Sequence, residues 1–394
     1  MHTRTVVRAG AILSAVAMAA VLAACSSSTT TGSSAAASAE AGTVDLAAAG
    51  CPSTIVVQTD WWPESEHGHL YQMLGDDATV EADKKAVVGT LYAGGKSTGV
   101  KLEIRAGGAA INFNNVATQM YTDDSITFGY VTTDDQIANS GKVPTKAFFA
   151  PLDQSPIMVM WDPATYPNVT GVKDIGAALK STGGSWLYFS GSAYMDYLIS
   201  QGYVDKANTD SSYSGAPDQF VAAEGKSVQQ GFASAEPYIY QNEVSAWDKP
   251  VKYSLISSTG WDPYQSEMVA KTGDFDKLTP CLKAFTPVLQ QAEVDYFADP
   301  SKANALIQKA IAGYNASWSY SPGVADYAVK TMLADKIVSN GDNSTIGDFN
   351  DARMADFFTK ASKIYTDLGT NIAPGLKATD LYTNEFIDTS IGLK

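Results

Sequence analysis

Short segments typical of β-strands alternate with segments of helical spacing over most of the chain. Residues 54–59 and 125–131 are rich in β-branched and apolar side chains, whereas 172–180 and 194–201 carry apolar residues at helical intervals. From about residue 275 onward the sequence is mostly helical. Alternation of this kind is typical of sheets whose strands are joined by helices, so the sequence predicts an α/β architecture with mainly parallel sheets.

The N-terminal region predicts where the protein resides. A short basic segment with Arg4 and Arg8 precedes an apolar stretch of small residues, 9–24, which ends in LAA directly before Cys25. This order resembles a bacterial lipoprotein signal, in which cleavage precedes the cysteine and its thiol is lipidated. The alternatives are an ordinary secretory signal with an incidental cysteine, or a membrane anchor. We expect residues 1–24 to be a signal peptide and Cys25 to anchor an extracytoplasmic protein to the bacterial cell membrane.

The segment that follows is poor in residues that can form a core. Residues 25–52 consist largely of Ser, Thr, Ala and Gly, so the sequence predicts a flexible tether. Besides Cys25 the chain has Cys51 and Cys281, and an oxidising extracytoplasmic site allows them to form a disulfide; two free thiols are the alternative. Because the chain has only 3 histidines and no C-x-x-C motif, neither a metal site nor a cofactor is expected.

The charge balance argues against nucleic-acid binding, and the absence of common catalytic motifs argues against an enzyme. The chain has 42 acidic and 27 basic residues and a net charge of −15, whereas nucleic-acid binding requires a basic surface. It has no complete G-x-x-x-x-G-K-S/T loop, no G-x-S-x-G and no H-E-x-x-H. A secreted acid–base enzyme that uses Asp60 and Glu66 remains an alternative. A structural surface lipoprotein is a third possibility, but we expect a protein that is not an enzyme.

The segment 58–71 concentrates side chains suited to a ligand site. Its sequence is QTDWWPESEHGHLY, and it falls where the first strand ends and the first helix begins. Ligands of open α/β sheets bind at the carboxyl ends of strands, and adjacent tryptophans beside polar groups suit a flat, partly aromatic ligand. In the alternative interpretation one tryptophan belongs to the core and the carboxylates are helix caps. The predicted ligand contacts in this segment are Asp60, Trp61, Glu66, His67 and Tyr71.

The same segment resembles a known family of transport proteins. An Asp-Trp pair after the first strand, then Pro, an acidic residue, His-Gly and Tyr, is similar to the first strand–helix loop of ABC-importer solute-binding proteins. The group is that of the binders of thiamine-pyrimidine precursors, taurine and alkanesulfonates, and the order of elements is similar over most of 54–271. The resemblance implies a two-lobed, periplasmic-binding-protein-like fold of type II with a ligand cleft between the lobes. It assigns lobe 1 to residues 53–151 and 262–394, lobe 2 to 152–261, and the crossovers to the vicinity of 150–154 and 257–261.

The resemblance also implies contacts from other parts of the chain. The strand 125–131 ends at the cleft, and the turn 190–194 offers backbone N–H groups to polar ligand atoms, although plain helix capping is the alternative there. An acidic residue in the segment 231–238 is expected near the cleft, or else it is simply a first-turn helix carboxylate. The predicted contacts outside 58–71 are Tyr130, Thr132, Ser190, Ser192, Tyr194 and Glu236.

The scarcity of arginine bears on the ligand. Only Arg105 and Arg353 follow the predicted signal peptide, whereas binders of sulfonates commonly use an arginine fork. Arg105 ends a predicted strand, where it either reaches the cleft or is solvated. An acidic, aromatic site favours a neutral or cationic heteroaromatic ligand, such as an aminopyrimidine, over taurine or an alkanesulfonate, although helix N-termini also bind anions. We expect a monomer that delivers this ligand to an ABC permease whose ATPase subunits are separate chains.

Overall fold

The computed structural model describes residues 44–316 and 318–394. The predictions of a signal peptide over 1–24 and of lipidation at Cys25 lie outside these residues. Across the described residues, no helix is both long enough and apolar enough to cross a bilayer.

The described residues form strands and helices that alternate along the first two thirds of the chain. The strands are β1 (Thr54–Gln58), β2 (Thr79–Glu81), β3 (Ala86–Ala93), β4 (Lys96–Arg105), β5 (Phe128–Val131), β6 (Thr145–Phe149), β7 (Ile157–Trp161), β8 (Trp186–Leu187), β9 (Thr209–Asp210), β10 (Val228–Phe232), β11 (Lys252–Leu255) and β12 (Glu267–Lys271). The α-helices are α1 (Gly68–Gln72), α2 (Val116–Thr122), α3 (Thr133–Asn139), α4 (Val172–Thr182), α5 (Ala193–Ser200), α6 (Asp218–Ala222), α7 (Glu236–Asn242), α8 (Phe275–Ala298), α9 (Ser301–Tyr314), α10 (Pro322–Ala334) and α11 (Asp351–Asp367).

The strands belong to two sheets. The larger has the order β2-β3-β4-β1-β5-β12-β6 and the smaller the order β11-β7-β10-β8-β9. The prediction of an α/β fold with two sheet-bearing parts is therefore confirmed.

The prediction of mainly parallel sheets is wrong. In the larger sheet only β1 pairs in parallel, with β4 and β5, and in the smaller sheet β8 pairs in parallel with β9 and β10. The other pairs are antiparallel. One reason is local, because β3 and β4 are joined through Gly94 and Gly95, whose positive φ angles of 55° and 76° suit a tight hairpin turn.

Helices cover the larger sheet and complete its core. The β-branched, buried residues of β1 place that strand in the middle of the sheet. Phe285 of α8 stacks on Phe128 of β5 with ring centroids 5.8 Å apart, and Phe128 also meets Phe148 of β6 at 5.0 Å. Such aromatic contacts bury large apolar areas, so they fix α8 against the sheet.

The folded part extends further toward the N-terminus than the predicted tether allows. Leu46 is fully buried, and its backbone N–H donates to the carbonyl of Thr98 in β4 at 2.9 Å. Cys51 forms a disulfide with Cys281 of α8. The tether predicted over 25–52 therefore does not include residues 44–52, because an apolar side chain and a covalent bond attach them to the core.

The chain passes between the two sheets twice, and one arginine binds both passages. The first passage lies between β6 and β7, and the second lies between β11 and β12. Arg353 of α11 donates to the carbonyl of Asp153 in the first passage, and to the carbonyls of Asp262 (3.1 Å) and Pro263 (2.9 Å) in the second. Its guanidinium also lies 3.8 Å from the ring centroid of Tyr264. Five donors in a rigid fork allow one arginine to hold several carbonyls at once.

Candidate ligand-binding cleft

A cavity of about 400 Å³ lies between the two sheets, and we call it the cleft. Its walls come from the segments that follow β1, β5 and β8, from β10, and from the start of α7. Ligands of α/β proteins bind at the carboxyl ends of strands, and a volume of this size suits a small organic molecule. The lining side chains that carry the argument below are Asp60, Trp61, Glu64, Phe113, Tyr130, Thr132, Asp135, Phe189, Ser192, Gln230, Glu236 and Trp318.

Aromatic rings form a large part of the walls. Trp61 meets Phe113 at 5.9 Å, Phe189 at 6.1 Å and Trp318 at 5.9 Å between ring centroids. Phe189 belongs to the smaller-sheet side, so the contact with Trp61 crosses the cleft. A Cβ at Gly108 would lie 2.6 Å from the Trp61 ring, so this glycine permits the ring's position. The arrangement suits a flat ring that stacks or packs edge-on between them.

Phe113 lies at the mouth of the cleft in an unusual backbone conformation. Its side chain is 57% exposed, although it is large and apolar. Asn112 and Phe113 have φ angles of 55° and 56°, in the left-handed region that non-glycine residues rarely adopt. Strained backbone of this kind is concentrated at functional sites.

The polar part of the cleft is acidic. Asp60, Glu64, Asp135 and Glu236 line it, and none of its described lining residues is lysine, arginine or histidine. Asp60 is held in one orientation, because its Oδ1 lies 2.9 Å from His67 Nε2 and its Oδ2 accepts from Ser266 Oγ at 2.6 Å. A fixed carboxylate without a neighbouring ammonium or guanidinium is suited to a ligand N–H donor.

Glu64 and Glu236 also line this cavity, Glu64 from the loop after β1 and Glu236 from the start of α7. Glu64 is only 4% exposed, and its carboxyl has no hydrogen-bond partner among the described residues. Burial, followed by the charges of Glu66, Asp60 and Glu236, raises the pKa of Glu64 well above its ordinary value. Burial also raises the pKa of Glu236 to about 7, against the lowering effect of the Phe232 N–H, which donates to Glu236 Oε2 at 2.7 Å. A cationic or N–H-rich ligand would supply the partners that these acids lack.

One amide donor faces the cleft from β10. Gln230 Oε1 accepts from the backbone N–H of Phe189 at 3.1 Å and from Tyr194 Oη at 2.8 Å. The N–H of Phe189 can only donate, so the amide oxygen is assigned to that side and Nε2 to the other. Gln230 is 6% exposed, and its Nε2 donates to none of the described residues. Tyr194 therefore acts as a positioning residue for Gln230.

The structure brings together some of the predicted contacts and separates others. The predicted residues that line the cleft are Asp60, Trp61, Tyr130, Thr132, Ser192 and Glu236. Ser190 and Tyr194 line a smaller pocket that adjoins it, together with Thr132 and Ser192. Glu66, His67 and Tyr71 line neither cavity.

These three residues are buried behind the cleft. Residues 65–67 form a 3₁₀ turn that leads directly into α1, which turns the side chains of Glu66, His67 and Tyr71 inward. Glu66 accepts a hydrogen bond from Ser234 Oγ, and His67 stacks on Tyr130 at 5.2 Å while it holds Asp60. They are positioning or core residues, and Asp60 and Glu66 do not form an acid–base pair inside the cavity.

Several lining residues escaped the sequence-based prediction. Phe113, Phe189 and Trp318 lie on loops far apart in the chain, and no local pattern distinguishes them. Glu64 belongs to the segment 58–71 and follows Pro63 outside any helix. Its position in that segment is therefore enough to predict it as a candidate ligand contact. Of the two adjacent tryptophans, Trp61 lines the cleft, whereas Trp62 is 6% exposed and packs in the core.

Comparison with known proteins gives similarity of structure only. No protein-family model and no curated protein matches the sequence. Three similar solved structures are those of ABC-transporter or periplasmic binding proteins. The periplasmic aliphatic sulphonate binding protein SsuA from Escherichia coli is 13% identical, with 81% of this chain and 94% of that chain covered and a TM-score of 0.48.

The other two are equally distant. The periplasmic nitrate-binding protein NrtA from Synechocystis PCC 6803 is 10% identical, with 85% and 87% covered and a TM-score of 0.47. An ABC transporter from Parabacteroides distasonis is 9% identical, with 82% and 98% covered and a TM-score of 0.48. Such distant similarity assigns no ligand to this chain.

Proposed function

We propose that the protein is an extracytoplasmic solute-binding protein of an ABC importer, anchored through lipid on Cys25, that captures a small heteroaromatic compound of the aminopyrimidine type. Its two lobes comprise residues 53–151 with 262–394, and residues 152–261. The observation that carries the proposal is the composition of the cleft, where aromatic rings and carboxylates without a lysine or arginine partner face one cavity from both sheets.

The ligand's ring packs among Trp61, Phe113 and Phe189, which come from both sides of the cleft. Its amino groups donate to Asp60 and Glu236, and a ring nitrogen accepts from Gln230 Nε2. A ligand that contacts both lobes stabilises the closed arrangement over the open one, because the open arrangement offers only half of these contacts. The closed protein then delivers the ligand to a permease whose ATPase subunits are separate chains.

A binder of taurine or an alkanesulfonate in the same family is the second candidate, and the cleft disfavours it. Arg105 is 2.6 Å from Glu103 and 2.9 Å from Asp123 in ion pairs away from the cavity. The N-terminus of α3 faces the cleft with its own carboxylates, Asp134 and Asp135, in its first turn. An entering sulfonate would therefore meet like charges where a helix N-terminus would otherwise attract it.

A thermal-shift screen of the purified protein tests the proposal. The panel contains aminopyrimidines, thiamine precursors, nucleobases and flavins in one arm, and taurine and alkanesulfonates in the other. A ligand at a hundredfold excess over its Kd stabilises the folded state by about 2.7 kcal/mol, so the shift is readily measured. We expect a thermal shift with a heteroaromatic compound, which the protein does not convert. We expect no thermal shift with taurine or the alkanesulfonates. A shift with sulfonates alone would contradict the proposed ligand class, and release of a product would indicate an enzyme.

A further inference from the structure

A second cavity of about 200 Å³ adjoins the cleft, and we call it the side pocket. It lies between the N-termini of α3 and α5, with Trp261 and Tyr365 among its walls. Thr132, Asp135 and Gln265 line both cavities, so the two share a wall. One molecule that enters the cleft can therefore extend into the side pocket.

The side pocket contains buried polar side chains with unused hydrogen-bonding groups. Gln265 is 7% exposed, and its Oε1 accepts from Ser155 Oγ at 3.4 Å, while its Nε2 donates to none of the described residues. Tyr365 is 8% exposed, and its hydroxyl has no hydrogen-bond partner among the described residues. The Gln265 amide and the Tyr365 hydroxyl are therefore available to a polar molecule that enters this cavity.

The charge of the side pocket excludes an anionic occupant. Asp134 and Asp135 line it, and lysine, arginine and histidine are absent from its described lining residues. Oδ1 of Asp134 is buried without a hydrogen-bond partner among the described residues. Two neighbouring carboxylates without a cation repel a third negative charge, and a group with several N–H donors satisfies them.

We propose that the side pocket binds an amine-bearing arm of the ligand, so that the natural ligand consists of an aromatic head in the cleft and a short arm that ends in an amine. This inference rests on the proposed function, because the head is the heteroaromatic ring assigned to the cleft. The amine donates to Asp134 and Asp135, and its remaining N–H group donates to Tyr365 Oη. Gln265 Nε2 lies at the junction, where it donates to an acceptor on the head or the arm.

Calorimetric titration of the purified protein with matched probes tests the inference. The probes are 4-amino-2-methylpyrimidines that carry, at the ring C5, a methyl group or two- and three-carbon chains ending in methyl, amine or carboxylate. We expect one of the amine-bearing probes to bind at least tenfold more tightly than the methyl-ended probe of equal length, and the carboxylate probes to bind more weakly than either.

Two variants locate the effect. Tyr365→Phe and Asp134→Asn remove single polar groups from the side pocket and should reduce the affinity of the amine probe several-fold, without changing that of the C5-methyl probe. Tyr121→Phe removes a hydroxyl that donates to Pro144 at the protein surface, so it is the matched control and should change neither affinity. Melting temperatures of all three variants establish that they are folded.

The outcomes distinguish this inference from the proposed function. If the C5-methyl probe binds but the amine brings no gain in affinity, or if the variants weaken both probes equally, the side pocket does not bind an arm and the proposed function survives. If no pyrimidine probe binds, the proposed function and this inference both fail.

Discussion

The cleft and a larger groove are both lined by carboxylates, and they differ in what those carboxylates contact. A groove of about 910 Å³ runs along the two passages between the sheets, and we call it the passage groove. There Arg353 lies 3.0 Å from Asp262, and Lys360 lies 2.5 Å from Asp356. In the cleft, which is less than half as large, the acids face aromatic rings and no described lysine or arginine.

The difference separates structural from functional charge. Carboxylates that already have cationic partners gain little from a ligand, so Asp153 and Asp262 of the passage groove hold α11 against the two passages through Arg353. Buried carboxylates that lack such partners raise the free energy of the empty protein, and a ligand that donates to them lowers it. The presence or absence of cationic partners for the carboxylates, rather than the volume of the cavity, is therefore our reason for proposing the cleft as the ligand site.

The largest effect is expected from removal of the arginine in the passage groove. Arg353→Ala leaves three backbone carbonyls and two carboxylates without their donor, so we expect the free energy of unfolding to fall by about 3 kcal/mol. Urea denaturation measures it. Arg353→Lys should recover only part of the loss, since an ammonium cannot reproduce the fork. An alanine variant as stable as the parent would show that the passages are held by other contacts.

The second effect concerns the cleft itself. The double variant Asp60→Ala with Trp61→Ala removes a fixed acceptor and a stacking surface, so affinity for the ligand found in the screen should fall at least about 100-fold. Quenching of tryptophan fluorescence or calorimetry measures the affinity. Asp356→Asn, which changes a carboxylate of the passage groove, is the matched control and should leave affinity unchanged. If the cleft double variant and Asp356→Asn lost affinity equally, the proposed distinction between the two cavities would be wrong.

A smaller effect is expected from single substitutions of two acids that line the cleft, Glu64 and Glu236. Glu64→Gln and Glu236→Gln keep the side-chain shape but replace a charge-assisted hydrogen bond by a neutral one, so each should weaken a cationic ligand about tenfold. A neutral analogue of the same ligand should lose much less. Calorimetry with the two analogues supplies the comparison, and equal losses for both would mean that charge does not determine recognition.

The last effect concerns how stability depends on pH. Burial raises the pKa of Glu236 to about 7, and burial together with Asp134 raises that of Asp135 to about 7, from 4.5 and 3.8 respectively. A raised pKa means that the folded state binds more protons than the unfolded state between about pH 4 and 7, so stability falls as pH rises through that window. Without ligand, the melting temperature should fall as pH rises through that window, and Glu236→Gln should flatten part of the slope. A melting temperature that rises through the same window in the parent and is unaffected by Glu236→Gln would contradict the assignment.

Local elements of the fold follow from the sequence, whereas their directions do not. The β-branched segment 54–59 corresponds to β1, and the segment 194–201 corresponds to α5, because side-chain periods of two and of 3.6 residues are local properties. The antiparallel entry of β12 depends on where the chain returns from the smaller sheet, which no local pattern encodes. The hairpin of β3 and β4 was also missed, although Gly94 and Gly95 mark its turn.

The sequence likewise predicts some residues of the candidate site and not others. Asp60 and Trp61 directly follow a strand, so the general position of ligand sites in α/β sheets was enough to select them. Glu66 and His67 share that segment but point inward, because a 3₁₀ turn sets their direction. Phe189 reaches the cleft only because the smaller sheet faces the larger one, and sequence spacing carries no information about that approach.

Side-by-side calorimetry of the purified protein with 4-amino-5-hydroxymethyl-2-methylpyrimidine and with taurine tests the central claim most directly. An acidic, aromatic cleft that takes a non-anionic heteroaromatic ring predicts saturable, stoichiometric binding of the pyrimidine and no heat with taurine. Binding of taurine without binding of the pyrimidine would contradict the claim that aromatic rings and carboxylates without a lysine or arginine partner define the ligand.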